Sequence, residues 1–182
     1  MIDLSLPFAA TRLALAALLI GSAVHKFRDF AGLRDAMAAY LRDTPLQGAQ
    51  LVSTLSGAIA VAEAAAAVMI AVSWTLPYAI YGAVLGVSIF LLYAGVMIFN
   101  IIRGNRIDDC GCAFGGQQKQ PVGPALVARN SILALAAATV AIPVRPSIPD
   151  WLSIVCFAAL LLLMYATWNE LNSNRILAGD HR

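Results

Sequence analysis

An all-α integral membrane protein, a bundle of about five spanning helices plus one amphipathic helix, is the fold class this sequence predicts. Three observations carry that prediction. The 182-residue chain is 60% hydrophobic, with a mean hydropathy of +0.78. Only 12% of its residues are charged, about half of what a soluble domain carries. Between Thr44 and Ile102 the single charged residue is Glu63, an apolar run that no soluble core needs and that spanning helices of about 20 residues do.

The elements follow in chain order. Pro7–Val24 is the first span. Asp3 and a lone Arg12 precede most of it, without the positive opening of a cleaved leader, so it is read as retained. Around 27–42, apolar Phe27, Phe30, Leu33, Met37, Tyr40 and Leu41 recur at helical spacing among Arg28, Asp29, Arg34, Asp35 and Arg42. That pattern predicts an amphipathic helix at the interface or capping the bundle. Ala49–Ser73 and Pro77–Ile102 are spans two and three, joined by Trp74-Thr75-Leu76-Pro77-Tyr78, which offers interfacial aromatics and a proline to open the next helix. A charged loop over about 103–122 precedes the fourth span, Gly123–Ile142. A proline-rich turn, Pro143–Asp150, leads to the fifth, Trp151–Trp168. No span alternates with period two, and all are too long for strands. No repeat or linker divides the chain, so residues 1–182 form one domain.

Composition narrows the chemistry. A net charge of +2, with no basic run among aromatics, is too small to point to nucleic acid, and no nucleic-acid partner is expected. Three cysteines are too few for a disulfide framework, and no Walker, Rossmann or zinc-protease motif is present. What stands out is Asp109-Cys110-Gly111-Cys112 in the charged loop. Two thiols one residue apart close into a disulfide only with strain, and strained exposed disulfides exchange readily. The competing readings are two loop cysteines without a role, and a copper(I) relay, which tolerates two thiolates. Zinc would need His25 and His181 brought together with both cysteines, and no metal site is assigned.

With five spans, parity places His25, the cysteine loop, Asn100, Arg129 and Asn130 on one side of the membrane. Such a polar cluster at the mouth of an apolar bundle is where a cofactor or partner binds, which makes Asn100, Arg129 and Asn130 cofactor-binding candidates. Arg129 is either an interfacial anchor or a cation that lowers a cysteine pKa or polarises a quinone carbonyl. His25 is either an interfacial residue or a proton carrier for the thiols. Glu63, alone inside a span, must be protonated or paired; Arg12 is the expected partner, with a proton relay as the rival role. Cys156, mid-span, is expected in core packing.

Several of these residues together resemble the MauE family. They are Arg12 in the first span, His25-Lys26-Phe27-Arg28-Asp29 at its end, an amphipathic helix finishing at Tyr40 with Pro45 beyond, Asp109-Cys110-Gly111-Cys112, and Arg129-Asn130 opening the next span. The wider group includes the DoxX-like membrane proteins, and the likeness implies that four of the five spanning helices form the core. One departure is Ala113 after the second cysteine, where the family pattern has phenylalanine; here Phe114 comes one residue later. The resemblance implies a redox-associated maturation factor of the bacterial inner membrane. Such a factor works with a thioredoxin-like partner, membrane-anchored or periplasmic, on an exported disulfide-rich client, in the family the methylamine dehydrogenase small subunit. It makes Cys110 and Cys112 a cycling pair assisted by His25 and Arg129, with a membrane quinone as the candidate acceptor, by architectural analogy with quinone-linked thiol oxidoreductases. A non-enzymatic factor that docks the thioredoxin-like protein is the alternative; a metal or small-molecule transporter is the third reading.

The side on which the loop lies divides two arguments. Lys26, Arg28, Arg34, Arg42, Arg103, Arg106, Lys119, Arg175 and Arg182 share the cysteine side, against chiefly Arg145, with Arg12 near it, on the other, and the positive-inside rule assigns the cysteine side to the cytoplasm. Oxidation of exported thiols requires the periplasm. The family resemblance favours the periplasm, and that is the expectation taken.

Overall fold

The computed structural model describes residues 5–42, 44–74, 76–105, 107, 121–144 and 150–179. They form six helices: α1 (Ser5–Arg28), α2 (Phe30–Tyr40), α3 (Ala49–Ala71), α4 (Leu76–Ile102), α5 (Pro124–Ala138) and α6 (Trp151–Gly179). Helices α1, α3, α4 and α6, and α5 together with the 3₁₀ turn that continues it to Ala141, each supply a segment long and apolar enough to cross a membrane, and no strand occurs among the described residues. The protein is an all-α integral membrane protein.

Helices α1, α3, α4 and α5 make the core, where Leu15, Leu19, Ala67, Ile70, Phe90 and Ala137 are buried together. Lipid removes the hydrophobic drive between helices, so close packing of small residues must hold them. Gly82 and Gly86, one turn apart on α4, supply it. A Cβ at Gly82 would lie 3.1 Å from the Met69 carbonyl oxygen of α3, and one at Gly86 would lie 3.1 Å from Ala137 Cβ of α5.

α6 is peripheral. It packs Ile154 and Ala158 against Ala9, Ala10 and Ala14 of α1, while Leu152 and Met164 remain 76% and 70% exposed. Cys156 is exposed on this helix, which corrects the expectation of core packing. A helix with a single contact face turns most mid-span positions to lipid.

The amphipathic helix begins at Phe30, three residues later than its pattern suggested, because Asp29 breaks the run. Asp29 leaves helical geometry (φ −117°, ψ 62°) and its carboxylate accepts the Gly32 backbone N–H at 3.0 Å, an N-cap that ends α1 and starts α2. α2 then packs on α3. Ser22 and Lys26 of α1 meet Glu63 of α3, so α3 runs about two to three turns, roughly 12–18 Å, beyond the end of α1. α2 lies against that projecting end.

At the far end of α4, Gly104 turns the chain at φ 72°. The Asn100 side-chain oxygen and carbonyl accept the Asn105 side-chain and backbone N–H groups, each at 3.0 Å. The Val122 N–H then donates to the Ile107 carbonyl at 2.9 Å. The cysteine-bearing segment therefore leaves and rejoins the bundle at one neck. Cys110 and Cys112, with Arg106, Asp108 and Asp109, lie outside the described residues, as do 145–149 of the proline-rich turn.

Candidate functional site

A buried polar layer crosses the core below that neck. The face of α1 that carries Leu15, Ala16, Leu19 and Ala23 inward also carries Lys26, following the three-and-four spacing of a buried helix stripe. Lys26 is 3% exposed and Glu63 1%. The ammonium donates three hydrogen bonds: to Glu63 Oε1 at 2.6 Å, to Ser22 Oγ at 3.0 Å and to the Tyr93 hydroxyl at 3.1 Å. Ser22 Oγ donates to Glu63 Oε2 at 3.0 Å, and the Tyr93 hydroxyl donates to Glu63 Oε1. All three ammonium hydrogens and both carboxylate oxygens are thus engaged, the condition under which a charge pair survives in a low-dielectric interior.

Glu63 is therefore paired, as its position demanded, but with Lys26 and not with Arg12. Arg12 lies about 21 Å away along α1, two heptads before Lys26 on the same face. Its Nη2 donates to the carbonyls of Val140 and Ile142 at 2.8 and 3.0 Å, and its guanidinium stands 5.1 Å from the Trp74 ring centroid. α5 closes there in a 3₁₀ turn over Thr139–Ala141. A helix end leaves carbonyls unpaired and carries partial negative charge, and Arg12 caps it. Arg12 would face Glu63 only if the ends of α1 and α3 were level, whereas α3 overshoots α1.

Across the bundle, Arg129 and Asn130 are both buried on α5. Arg129 Nη1 donates to Asn169 Oδ1 of α6 at 3.0 Å, and its guanidinium lies 5.7 Å from the Tyr165 ring centroid. Asn130 Nδ2 donates to the Leu126 carbonyl at 2.9 Å and approaches Met97 Sδ at 3.6 Å. Between this pair and the Lys26–Glu63 cluster is a cavity of about 30 Å³, lined also by Ser22, Tyr93 and Tyr165. It is large enough for water and ringed by polar partners, the conditions for an ordered one.

The structure thus brings Glu63, Arg129 and Asn130 to one layer. Asn100 is fully buried but is spent on the turn after α4: its Nδ2 donates to the Val96 carbonyl at 3.0 Å. The His25 side chain is exposed, off the stripe that carries Lys26 inward. Sequence reasoning missed Lys26, Ser22, Tyr93 and Asn169. The signal for Lys26 was present, since Arg12, Leu15, Ala16, Leu19, Ala23 and Lys26 share one helical face.

The chain matches the family model described as methylamine utilisation protein MauE over residues 4–143. It is similar to the methylamine utilization protein MauE of Paracoccus denitrificans, 32% identical over 143 residues that cover 77% of this chain and 71% of the relative. No solved structure matches the chain. The matched region holds α1 to α5 and every residue of the polar layer except Tyr165 and Asn169.

Proposed function

The chain belongs to the MauE family, and from that premise we propose that it is an inner-membrane maturation factor of methylamine metabolism. It forms disulfides in an exported client together with a thioredoxin-like partner, through Cys110 and Cys112. The observation that supports this most is the neck. Ile107 is buried and its carbonyl holds Val122, which packs with Met97 and Leu126, directly next to Asn130. Cys110 is three residues from Ile107, a tether of at most about 11 Å. By chain length alone Cys110 can reach the end of the bundle that carries Asn130 and Arg129, and a cation beside it would favour the thiolate that exchange requires.

The exchange balances as follows. A thiolate of the partner attacks one sulfur of the Cys110–Cys112 disulfide, a mixed disulfide forms, and the other cysteine leaves as thiolate. The partner's second thiolate then attacks its own sulfur in the mixed disulfide. The partner departs oxidised, and this chain is left as the dithiol.

Replacing one cysteine leaves a lone thiolate that attacks the oxidised partner's disulfide, the reverse of the step above, with no second thiol on this chain to carry the exchange through, so Cys112→Ser or Cys110→Ser accumulates a reducible adduct with the thioredoxin-like protein on non-reducing gels, and the double variant does not. A double serine variant that matures its client normally overturns the relay and leaves a docking factor. For the side of the loop, a membrane-impermeant maleimide added to intact spheroplasts after mild reduction labels the native chain and not the double variant. Labelling only after lysis places the loop in the cytoplasm and removes the exported client.

A further inference from the structure

A second cavity, of about 550 Å³, lies between α2, α3 and α4 and reaches the end of α1. Its volume is that of a small-molecule site. Leu33, Met37, Leu55, Ile59, Leu92 and Val96 make most of its wall. Lys26 and Tyr93 bring the buried polar cluster to its inner end. An amphipathic helix thus roofs an apolar chamber whose inner end carries Lys26 and the Tyr93 phenol, with Glu63 bonded to both behind them.

That arrangement selects an occupant. The apolar wall suits a hydrocarbon chain. The inner end is charge-balanced, since Glu63 accepts from Lys26 at 2.6 Å. A phosphate headgroup would bring a second negative charge beside Glu63, so the head must be neutral. Of the three hydrogens on Lys26, one goes to the neutral Tyr93 hydroxyl, and a carbonyl oxygen can accept it in that hydroxyl's place. Tyr93 keeps its own bond to Glu63. The same cluster links an ammonium, a phenol and a carboxylate by hydrogen bonds, a set able to pass protons to a group that takes them up with electrons.

We propose that this cavity binds an isoprenoid quinone, with a ring carbonyl accepting from Lys26 and the tail lying along the apolar face of α2. The inference rests on the thiol-relay reading for its electrons. Cys110 and Cys112 as dithiol give up two electrons and two protons and form their S–S bond. Both quinone carbonyls become hydroxyls, and the hydroquinone leaves. The acceptor site is thus Lys26, Tyr93 and the chamber beneath α2.

The test is equilibrium binding of tritiated decylubiquinone to the full chain in phosphatidylcholine nanodiscs. Saturable binding is expected, about one per chain. Ala58→Phe and Leu92→Trp each fill the chamber from a lipid-facing position and should weaken binding at least tenfold, as should the charge-balanced double variant Lys26→Met/Glu63→Gln. Ala136→Phe, in a separate 320 Å³ cavity between α1, α5 and α6, should change it less than twofold. Non-saturable uptake, chamber-filling variants that bind as the native chain does, or loss in Ala136→Phe alone each overturn the site. So does equal displacement by excess phosphatidylglycerol, which would make the chamber a lipid space. Adduct trapping through Cys112→Ser, carried out in the Ala58→Phe background, separates the two claims. Normal trapping with lost binding supports the site. Failure to trap in native background with intact binding defeats the relay and leaves the quinone site without its electron donor.

Discussion

Lys26 and Glu63, 37 residues apart in sequence, meet at 2.6 Å with both side chains at most 3% exposed. They join the last turn of α1 to the middle of α3. Removing one member of such a buried pair strands the other charge and costs about 3–5 kcal/mol, whereas replacing both with neutral groups of similar volume is often close to neutral. Glu63→Gln and Lys26→Met should each lower stability by about that amount in chemical denaturation of the reconstituted protein. The double variant should recover most of the loss. Losses that add would show that the two charges are not coupled.

Arg12 acts separately. Its Nη2 caps the end of α5 through two carbonyls, and hydrogen bonds from a charged donor contribute about 1.5–3 kcal/mol each. Its Nε and Nη1 have no hydrogen-bond partner among the described residues, which offsets part of that gain. Arg12→Gln should therefore destabilise by about 2–4 kcal/mol. Combined with Glu63→Gln, its effect should add to within about 0.5 kcal/mol, as it does for distant sites. A coupling of 1 kcal/mol or more would revive direct pairing of Arg12 with Glu63.

The contrast between these two residues shows what the sequence made legible. Five spans and the need for a partner at Glu63 follow from apolar run length and the cost of an isolated charge in lipid, while the four-helix core comes from the family resemblance. The identity of the partner does not, because it depends on the stagger of α3 against α1, and the Asp29 cap that sets the path into α2 sits within a run that still reads as one helix. The inward turn of Lys26 was readable from its spacing to Arg12 and Leu19. Tyr93 and Asn169 were not, since a lone tyrosine or asparagine in an apolar span carries no periodic signal. The large chamber under α2 is likewise a property of how helices splay, which composition does not encode.

Gly82 and Gly95 lie on the same helix in opposite settings. A Cβ at Gly82 meets backbone of α3 at 3.1 Å, whereas at Gly95 nothing lies within 4 Å. Gly82→Ala should force α3 and α4 apart and cost about 1–3 kcal/mol. Gly95→Ala should be neutral or stabilising by up to about 1 kcal/mol, from helix propensity. Thermal unfolding in one detergent compares them directly, and equal effects would mean that close approach at Gly82 is not what holds these helices together.

Arg129 bears two roles that one pair of variants can separate. Its Nη1 bond to Asn169 Oδ1 at 3.0 Å ties α5 to α6, the helix with the least buried span. Asn169→Leu and Arg129→Met should each loosen α6, seen as faster backbone hydrogen exchange around Tyr165–Asn169, and in a double-mutant cycle the two should couple by about 1–2 kcal/mol. Their effects on thiol exchange should differ. If the guanidinium favours the attacking thiolate, Arg129→Met slows mixed-disulfide formation about tenfold, while Asn169→Leu, which keeps the cation, slows it less than twofold. Arg129→Lys retains the charge without the planar fork and should restore most of the rate but little of the hydrogen-exchange protection. Equal slowing by Arg129→Met and Asn169→Leu would mean that Arg129 acts on the cysteines only by holding α6 in place.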